Sequence, residues 1–210
     1  MNPVTILIAA LGGQGGGVLA EWLVEAASRA GFPAQSTSIP GVAQRTGATT
    51  YYVEVFPVPR ASLGGREPIL SLLPAPGAID LLIASELLEG ARMVQAGFAD
   101  PARTTFVAST SRTLTTAEKM SLGDGRFASD RLVEVAKSHS RRYAGFDMDA
   151  AARDAGTMVS AVMLGAVAGS GVVPIARGVF EDVVRASGVG VEASLRGLAS
   201  GHAAVTTHAP

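Results

Sequence analysis

The segment Val4-Thr5-Ile6-Leu7-Ile8-Ala9-Ala10-Leu11-Gly12-Gly13-Gln14-Gly15-Gly16-Gly17-Val18-Leu19-Ala20 decides the fold. Val4, Ile6, Leu7, Ile8 and Ala9 read as a strand buried on both faces, and residues 18–29 read as a helix with Leu19, Trp22, Leu23 and Ala26 on one side. The join is strand, glycine loop, helix. Each glycine inside a helix costs about 1 kcal/mol relative to alanine, so Gly12, Gly13, Gly15, Gly16 and Gly17 serve backbone geometry. A glycine loop lets another molecule approach the main chain, and the helix behind it presents unpaired N–H groups and a partial positive charge. Phosphate or carboxylate is the natural guest of such a site. The plainer reading is a tight turn that lets helix and sheet pack closely.

Two common uses of a glycine loop can be tested on the residues. A phosphate-binding loop of the Walker type needs Lys and then Ser or Thr after its last glycine, whereas Val18 and Leu19 follow Gly17. The dinucleotide fingerprint fits only as Gly15-x-Gly17-x-x-Ala20, and it requires an acidic residue at the end of the second strand. That strand, residues 34–39, ends in Ser36-Thr37-Ser38-Ile39 and carries no acid.

Downstream, residues 48–56 read as a third strand rich in Thr, Tyr and Val. Residues 57–76 hold five prolines and form a loop available for contact with another molecule. Residues 78–84 are a further strand, Ser85 is placed to cap a helix over 86–96, Gly97 closes that helix, and residues 104–108 are a strand. Helices are expected over 130–142, 149–155, 157–169 and 176–186, with a small one at 192–198 and a flexible tail over 200–210. The alternation predicts a single α/β domain over residues 1–199: a doubly wound, mostly parallel sheet with helices on both faces. The first three elements form a βαβ unit.

The chain has 210 residues and a net charge of −1, with no basic block, so nucleic acid is not an expected partner. It contains no cysteine, which excludes disulfides, thiolate-held iron–sulfur clusters and thiolate zinc sites. Its three histidines, two of them at His202 and His208, do not make a metal site, and His139 sits in a basic stretch that reads as solvated. Charged residues make up 17% of the chain, below the usual quarter or so, which predicts apolar surface left over for oligomerisation or a permanent partner. No signal peptide is legible at the N-terminus. Residues 157–176 are uncharged, but their glycines, serines and Pro174 read as a buried helix in which Gly165 and Gly169 permit close helix contact, not as a membrane span.

Gly123-Asp124-Gly125 begins a thiamine diphosphate signature, but the asparagine that completes it is missing, since the only asparagine is Asn2. No nucleophile, base and orienting acid stand at recognisable spacing, and Glu86 and Asp147 read as surface or capping residues.

Two loops carry a family resemblance. Ala10-Leu11-Gly12-Gly13-Gln14-Gly15, followed thirty residues on by Gly41-Val42-Ala43-Gln44-Arg45-Thr46-Gly47, resembles the γ domain of the 2-oxoacid:ferredoxin oxidoreductases. The Ala-Gln-Arg tripeptide looks most like the β subunit of indolepyruvate ferredoxin oxidoreductase, and Phe146-Asp147, Ala152, Gly156 and Met163-Leu164-Gly165-Ala166 extend the similarity along the chain. The chain differs at Ala10 and Thr46, where the family usually has glycine.

The resemblance implies a cytoplasmic companion subunit, in a hetro-oligomer or as a homodimer when isolated. Its large partner carries thiamine diphosphate, Mg²⁺ and iron–sulfur clusters and oxidatively decarboxylates an arylpyruvate, with coenzyme A as acyl acceptor and ferredoxin or another carrier as electron acceptor. Pyruvate, ketoisovalerate and 2-oxoglutarate enzymes are the alternatives within the family, and a stand-alone nucleotide-binding α/β protein or a purely structural subunit are those outside it. The candidate site is Gly12, Gly13, Gln14, Gly15, Gly16 and Gly17 with Gln44, Arg45, Thr46 and Gly47, contacting an anion such as a phosphate of coenzyme A, or a partner loop. Arg45 is fitted to bidentate pairing with phosphate or carboxylate. No catalytic residue and no metal ligand are expected on this chain.

Overall fold

The structure, a computed structural model, describes residues 2–40, 48–120, 125 and 127–207. The first strand, β1 (Val4–Ala10), lies inside a six-stranded sheet. Its side chains divide by the period of two: Ile6, Ile8 and Ala10 enter one core, Leu7 and Ala9 the other. Helix α1 (Gly16–Arg29) begins two residues before its expected start and buries Leu19, Ala20, Leu23, Ala26 and Ala27, with Trp22 half-buried. Strands β2 (Ala34–Pro40) and β3 (Thr49–Val55) follow, then β4 (Leu81–Ala84), α2 (Leu87–Gln95) and β5 (Thr105–Ser109).

The strand order is β2-β3-β1-β4-β5-β6, with β6 at Arg142–Phe146. β1, β4, β5 and β6 pair in parallel, while β3 pairs antiparallel with both β1 and β2. β1 and β2 therefore run in the same direction, as a βαβ unit requires, but β3 is inserted between them. Strands joined by a short connection pair antiparallel, and β3 follows β2 closely enough to do so. The result is the expected mostly parallel, doubly wound α/β sheet.

Helices cover both faces. One core joins α1 to α5 (Met148–Ala155), α6 (Val159–Ser170), α7 (Arg177–Ser187) and α8 (Val191–Thr206) through residues such as Met148, Val162, Phe180 and Leu198. The other holds Val94 of α2 and Ala136 of α4 (Ser129–Ser138), together with Phe106 and Tyr143, whose rings meet edge to face at 5.7 Å. A short helix, α3 (Thr116–Met120), precedes α4.

Helix α6 is buried on all sides. A Cβ on its Gly165 would lie 1.9 Å from the Leu198 carbonyl oxygen of α8, and one on Gly201 would lie 1.9 Å from that of Val162, so the two backbones touch as the glycine pattern predicts. Among the described residues no helix is long and apolar enough to cross a membrane.

Three expectations need correction. Residues 142–146 were expected at the end of a helix and just after it, and they form β6, a half-exposed edge strand whose single fully buried residue, Ala144, gives little hydrophobic signal. Helix α8 is not small: it runs to Thr206 and buries Gly201 and Val205, so residues 201–206 are packed rather than frayed. Ser85 does not cap α2; the Glu86 carboxylate does, accepting from Glu89 N at 2.9 Å. Capping is one of the two roles expected of Glu86, which caps from a buried position, only 2% exposed. Asp147 caps α5 by accepting from Ala150 N at 2.9 Å, and His139 is exposed, both as expected.

Candidate functional site

The sheet changes its winding direction at β1. The chain leaves β1 through α1 on one face and leaves β4 through α2 on the other, so the crevice beyond their C-terminal ends is where open α/β sheets bind ligands. The glycine loop enters that crevice from β1. Gln14 N donates to Leu11 O at 3.2 Å, and Gly13 and Gly15 adopt left-handed φ values of 82° and 76°, which other residues resist. Gly15 and Gly16 have a second reason to lack a side chain. A Cβ on Gly15 would sit 2.8 Å from Ser160 Oγ of α6, and one on Gly16 would sit 2.7 Å from both Ala10 Cβ and Tyr51. Gly13 faces open space. The plain packing reading thus accounts for Gly15 and Gly16, while Gly12 and Gly13 form the exposed tip of the loop.

Gln14 ties the glycine loop to the end of β4 and to the first turn of α5. Its Oε1 accepts from Ser85 Oγ at the end of β4, and its Nε2 donates to Asp149 Oδ1 in α5 at 3.4 Å. Ser85, fully buried, also accepts from Leu11 N at 3.2 Å. This bridge spans the crevice between β1 and β4, the position a dinucleotide would need. Ser85→Ala would strand the Leu11 N–H and the Gln14 carbonyl oxygen, and a loss of about 1–3 kcal/mol is expected from urea unfolding.

On the outer side of the loop, the first turn of α1 opens onto a cleft of about 420 Å³ lined by the loop glycines, Tyr51 and Glu21. No side chain caps this helix end. Glu21, one turn further along α1, puts an exposed carboxylate on the rim, so the attraction of the helix end for a free anion is opposed by a fixed negative charge. Next to Gly15 an apolar hollow of about 320 Å³ is lined by Val18, Trp22, Met158 and Val189. Val18, Met158 and Val189 are exposed, and they are part of the leftover apolar surface that the composition predicts.

The same edge of the sheet carries a buried charge network. Arg112 Nε meets Glu86 Oε1 at 3.2 Å and Arg112 Nη2 meets Glu118 Oε1 at 2.6 Å, while Nη1 donates to Phe127 O at 3.0 Å. Burial pushes the Glu86 carboxyl above its ordinary value, only partly offset by the N–H groups of Glu89 and Thr113 and by Arg112. Burial acts on Glu118 in the same sense, but N–H groups of Thr115 and Phe127, the Thr115 hydroxyl and Arg112 outweigh it and bring the carboxyl down to about 2. The network holds the segment after β5 against the start of α2.

Sequence reasoning found the glycine loop but missed Ser85 as its support, Asp149 as the far end of the bridge, and Glu21 and Tyr51 as its walls. The position of Ser85 directly after a buried strand was the available signal for the first. Gln44, Arg45, Thr46 and Gly47 lie outside the described residues, as do Gly123 and Asp124 of the glycine-aspartate turn and His208.

The family model described as pyruvate ferredoxin/flavodoxin oxidoreductase matches residues 5–204. Among solved structures, the chain is similar to the γ subunit of a keto/oxoacid ferredoxin oxidoreductase from Geobacter sulfurreducens PCA, at 18% identity and a TM-score of 0.64 over 99% of both chains. A pyruvate oxidoreductase subunit from Thermotoga maritima is similar at 15% identity and a TM-score of 0.60 over 97% of both. The 2-oxoglutarate:ferredoxin oxidoreductase from Magnetococcus marinus is similar at 15% identity and a TM-score of 0.65, over all of this chain and 32% of that one. No curated protein matches the chain. With the fold of a keto/oxoacid ferredoxin oxidoreductase γ subunit and a family match along nearly its whole length, the chain belongs to the pyruvate ferredoxin/flavodoxin oxidoreductase family.

Proposed function

We propose that the chain is the companion, γ-type subunit of a 2-oxoacid:ferredoxin oxidoreductase, acting in a complex whose larger subunit holds thiamine diphosphate, Mg²⁺ and iron–sulfur clusters. The observation that carries this reading is the family match over residues 5–204 in a chain that has no cysteine. Thiolate-held clusters therefore need another polypeptide. The thiamine cofactor supplies the decarboxylation chemistry when bound; this chain's residues shape and close the surface presented to it. Within the family we favour an arylpyruvate substrate, supported by the Ala43-Gln44-Arg45 likeness to the indolepyruvate type and by the apolar hollow beside Gly15. Pyruvate and 2-oxoglutarate, which the neighbouring proteins' names carry, are the competing substrates.

The glycine loop is the contact for a partner segment more than for a free phosphate. Glu21 opposes a bare anion there, whereas a partner side chain or backbone carbonyl can meet the α1 N–H groups while apolar residues cover Val18, Met158 and Val189. Arg45 pairs with a carboxylate of that partner or with a phosphate of coenzyme A.

Purification of the native complex, followed by thiamine and iron assays and turnover with arylpyruvates, pyruvate, ketoisovalerate and 2-oxoglutarate, tests the reading. A chain recovered alone, without thiamine or iron, overturns it. Val18→Asp tests the loop separately. An acid in the first turn suits the helix dipole, so the subunit folds, but affinity for the large subunit falls about tenfold or more as for an interface hot spot, with the KM for coenzyme A unchanged. An unchanged assembly with a raised KM places coenzyme A at the loop instead.

A further inference from the structure

The opposite edge of the sheet, where the parallel strands begin, carries a second polar site. The starts of β1, β4, β5 and β6 and the end of α6 surround a cavity of about 550 Å³ lined by Arg103, Arg141 and Arg142, with Asp80 the one acid in its wall among the described residues. The length of β1 puts it roughly 20 Å from the glycine loop, at about 3.3 Å per strand residue.

The three arginines are not equally compensated. Arg103 is fully paired: its Nε and Nη2 meet Asp80 Oδ1 and Oδ2 at 2.7 and 3.1 Å. Asp80 also accepts from Thr5 N and Thr5 Oγ1, each at 2.9 Å. This pair contributes no net charge to the cavity. Arg142 has no carboxylate partner among the described residues. Its Nη1 and Nη2 donate to Ser170 O and Val205 O, at 3.2 and 3.0 Å, carbonyls in the last turns of α6 and α8. Those helix ends offset only part of a unit charge, and Arg142 Nε is buried with no partner, a sign that its compensation is incomplete. Arg141 is exposed, and among the described residues its side chain has neither a hydrogen bond nor an ion pair. Two guanidinium charges thus line one concave, polar volume with no carboxylate against them among the described residues.

We infer that this cavity binds a small dianion, the phosphate group of a phosphorylated small molecule or free phosphate, between Arg141 and Arg142. Phosphate carries close to two negative charges at neutral pH, matching the two uncompensated guanidinium groups, and its oxygens suit the planar donor fork of arginine. The concavity favours a small ligand over the acidic segment of a protein, which a flat basic patch would serve.

The test is isothermal titration of the full chain, alone and in its native complex, with inorganic phosphate at constant ionic strength. Succinate serves as the dicarboxylate arm, a glutamate-rich peptide as the protein arm and chloride as the control. Saturable phosphate binding is expected, with Arg141→Ala weakening it about tenfold, the scale of one charge-assisted hydrogen bond, and Arg153→Ala, a distant exposed arginine, leaving it unchanged. Arg141 is exposed, so its removal spares the fold. The inference is overturned by an absence of saturable phosphate binding, by equal affinities of the Arg141 and Arg153 variants, or by tighter binding of succinate or of the peptide than of phosphate.

Discussion

Replacing Arg112 by alanine is expected to destabilise the fold by about 3 kcal/mol at neutral pH, because it leaves buried carboxylates without their cation. The Arg112 side chain is 13% exposed, while the side chains it bridges, Glu86 and Glu118, are 2% and 1% exposed. Each carboxylate keeps its backbone partners, Glu89 N and Thr113 N for Glu86 and Thr115 N and Phe127 N for Glu118, so the cost stays near the lower end for a broken buried pair. Arg112→Lys restores a charge but not the fork that reaches two carboxylates and the Phe127 carbonyl, and an intermediate loss is expected.

The pH dependence supplies a second readout. The folded-state pKa of Glu118 lies at about 2, below its unfolded value, so the stability it contributes is complete above that unfolded value and is lost as pH falls toward 2. Glu86 works in the other direction: its folded pKa is raised, so ionisation costs the fold stability that returns as pH falls through the folded value. In Arg112→Ala both carboxylates protonate more readily. The gap between variant and wild type in urea unfolding is therefore expected to narrow between pH 7 and pH 4. A gap below about 1 kcal/mol at pH 7, the scale of a surface ion pair, would show that Arg112 does not hold this edge together.

The second large effect is expected at the α6–α8 contact. Gly165→Val places carbon where the Leu198 carbonyl oxygen already lies, with the nearest approach of an added Cβ at 1.9 Å. A flexible side chain can move aside, but a helix backbone cannot without shifting the whole element. α6 has no free side to move toward, since it packs between α8, α1 and the sheet. The loss is expected to reach about 3 kcal/mol or more, the top of the range for overpacked cores, and the same holds for Gly201→Val against Val162 O. Gly178→Ala in α7 is the control. Nothing lies within 4 Å of its added Cβ, and relief of unfolded-state entropy predicts a gain of about 0.4–1 kcal/mol. Equal unfolding midpoints for Gly165→Val and wild type would rule out backbone contact between these helices.

The parts of the fold that were legible in the sequence are those where one physical demand dominates. β1 announces itself because both its faces are buried and its side chains after Thr5 are all apolar, and α6 because it is buried on every side with glycines at close spacing. β6 was hidden because an edge strand with one buried residue needs little hydrophobicity, and its first residue, Arg142, continues the basic pattern of the preceding helix. The insertion of β3 between β1 and β2 was hidden for another reason: local sequence specifies a strand, while its neighbour is fixed by long-range pairing. At the site, the glycines were readable as backbone conformations, but Ser85 and Asp149 join Gln14 across 71 and 135 residues and leave no local trace. Glu86 was recognised as a capping residue without its burial, since burial depends on the segment that folds over it.

The central place of β1 also bears on how the chain is made. The strand leaves the ribosome before its parallel neighbour β4, which begins about 75 residues later, the separation spanned by the Thr5–Asp80 hydrogen bond. The β2–β3 hairpin arrives earlier and pairs with one side of β1, while the other side waits with its N–H and C=O groups open. An uncharged, strongly β-forming segment with an open edge is a template for intermolecular pairing. Synthesis thus passes through a window in which Ile6-Leu7-Ile8 is open to pairing with other chains, and variants that reopen the sheet return the protein to that window, so that precipitation is the expected first sign of their instability.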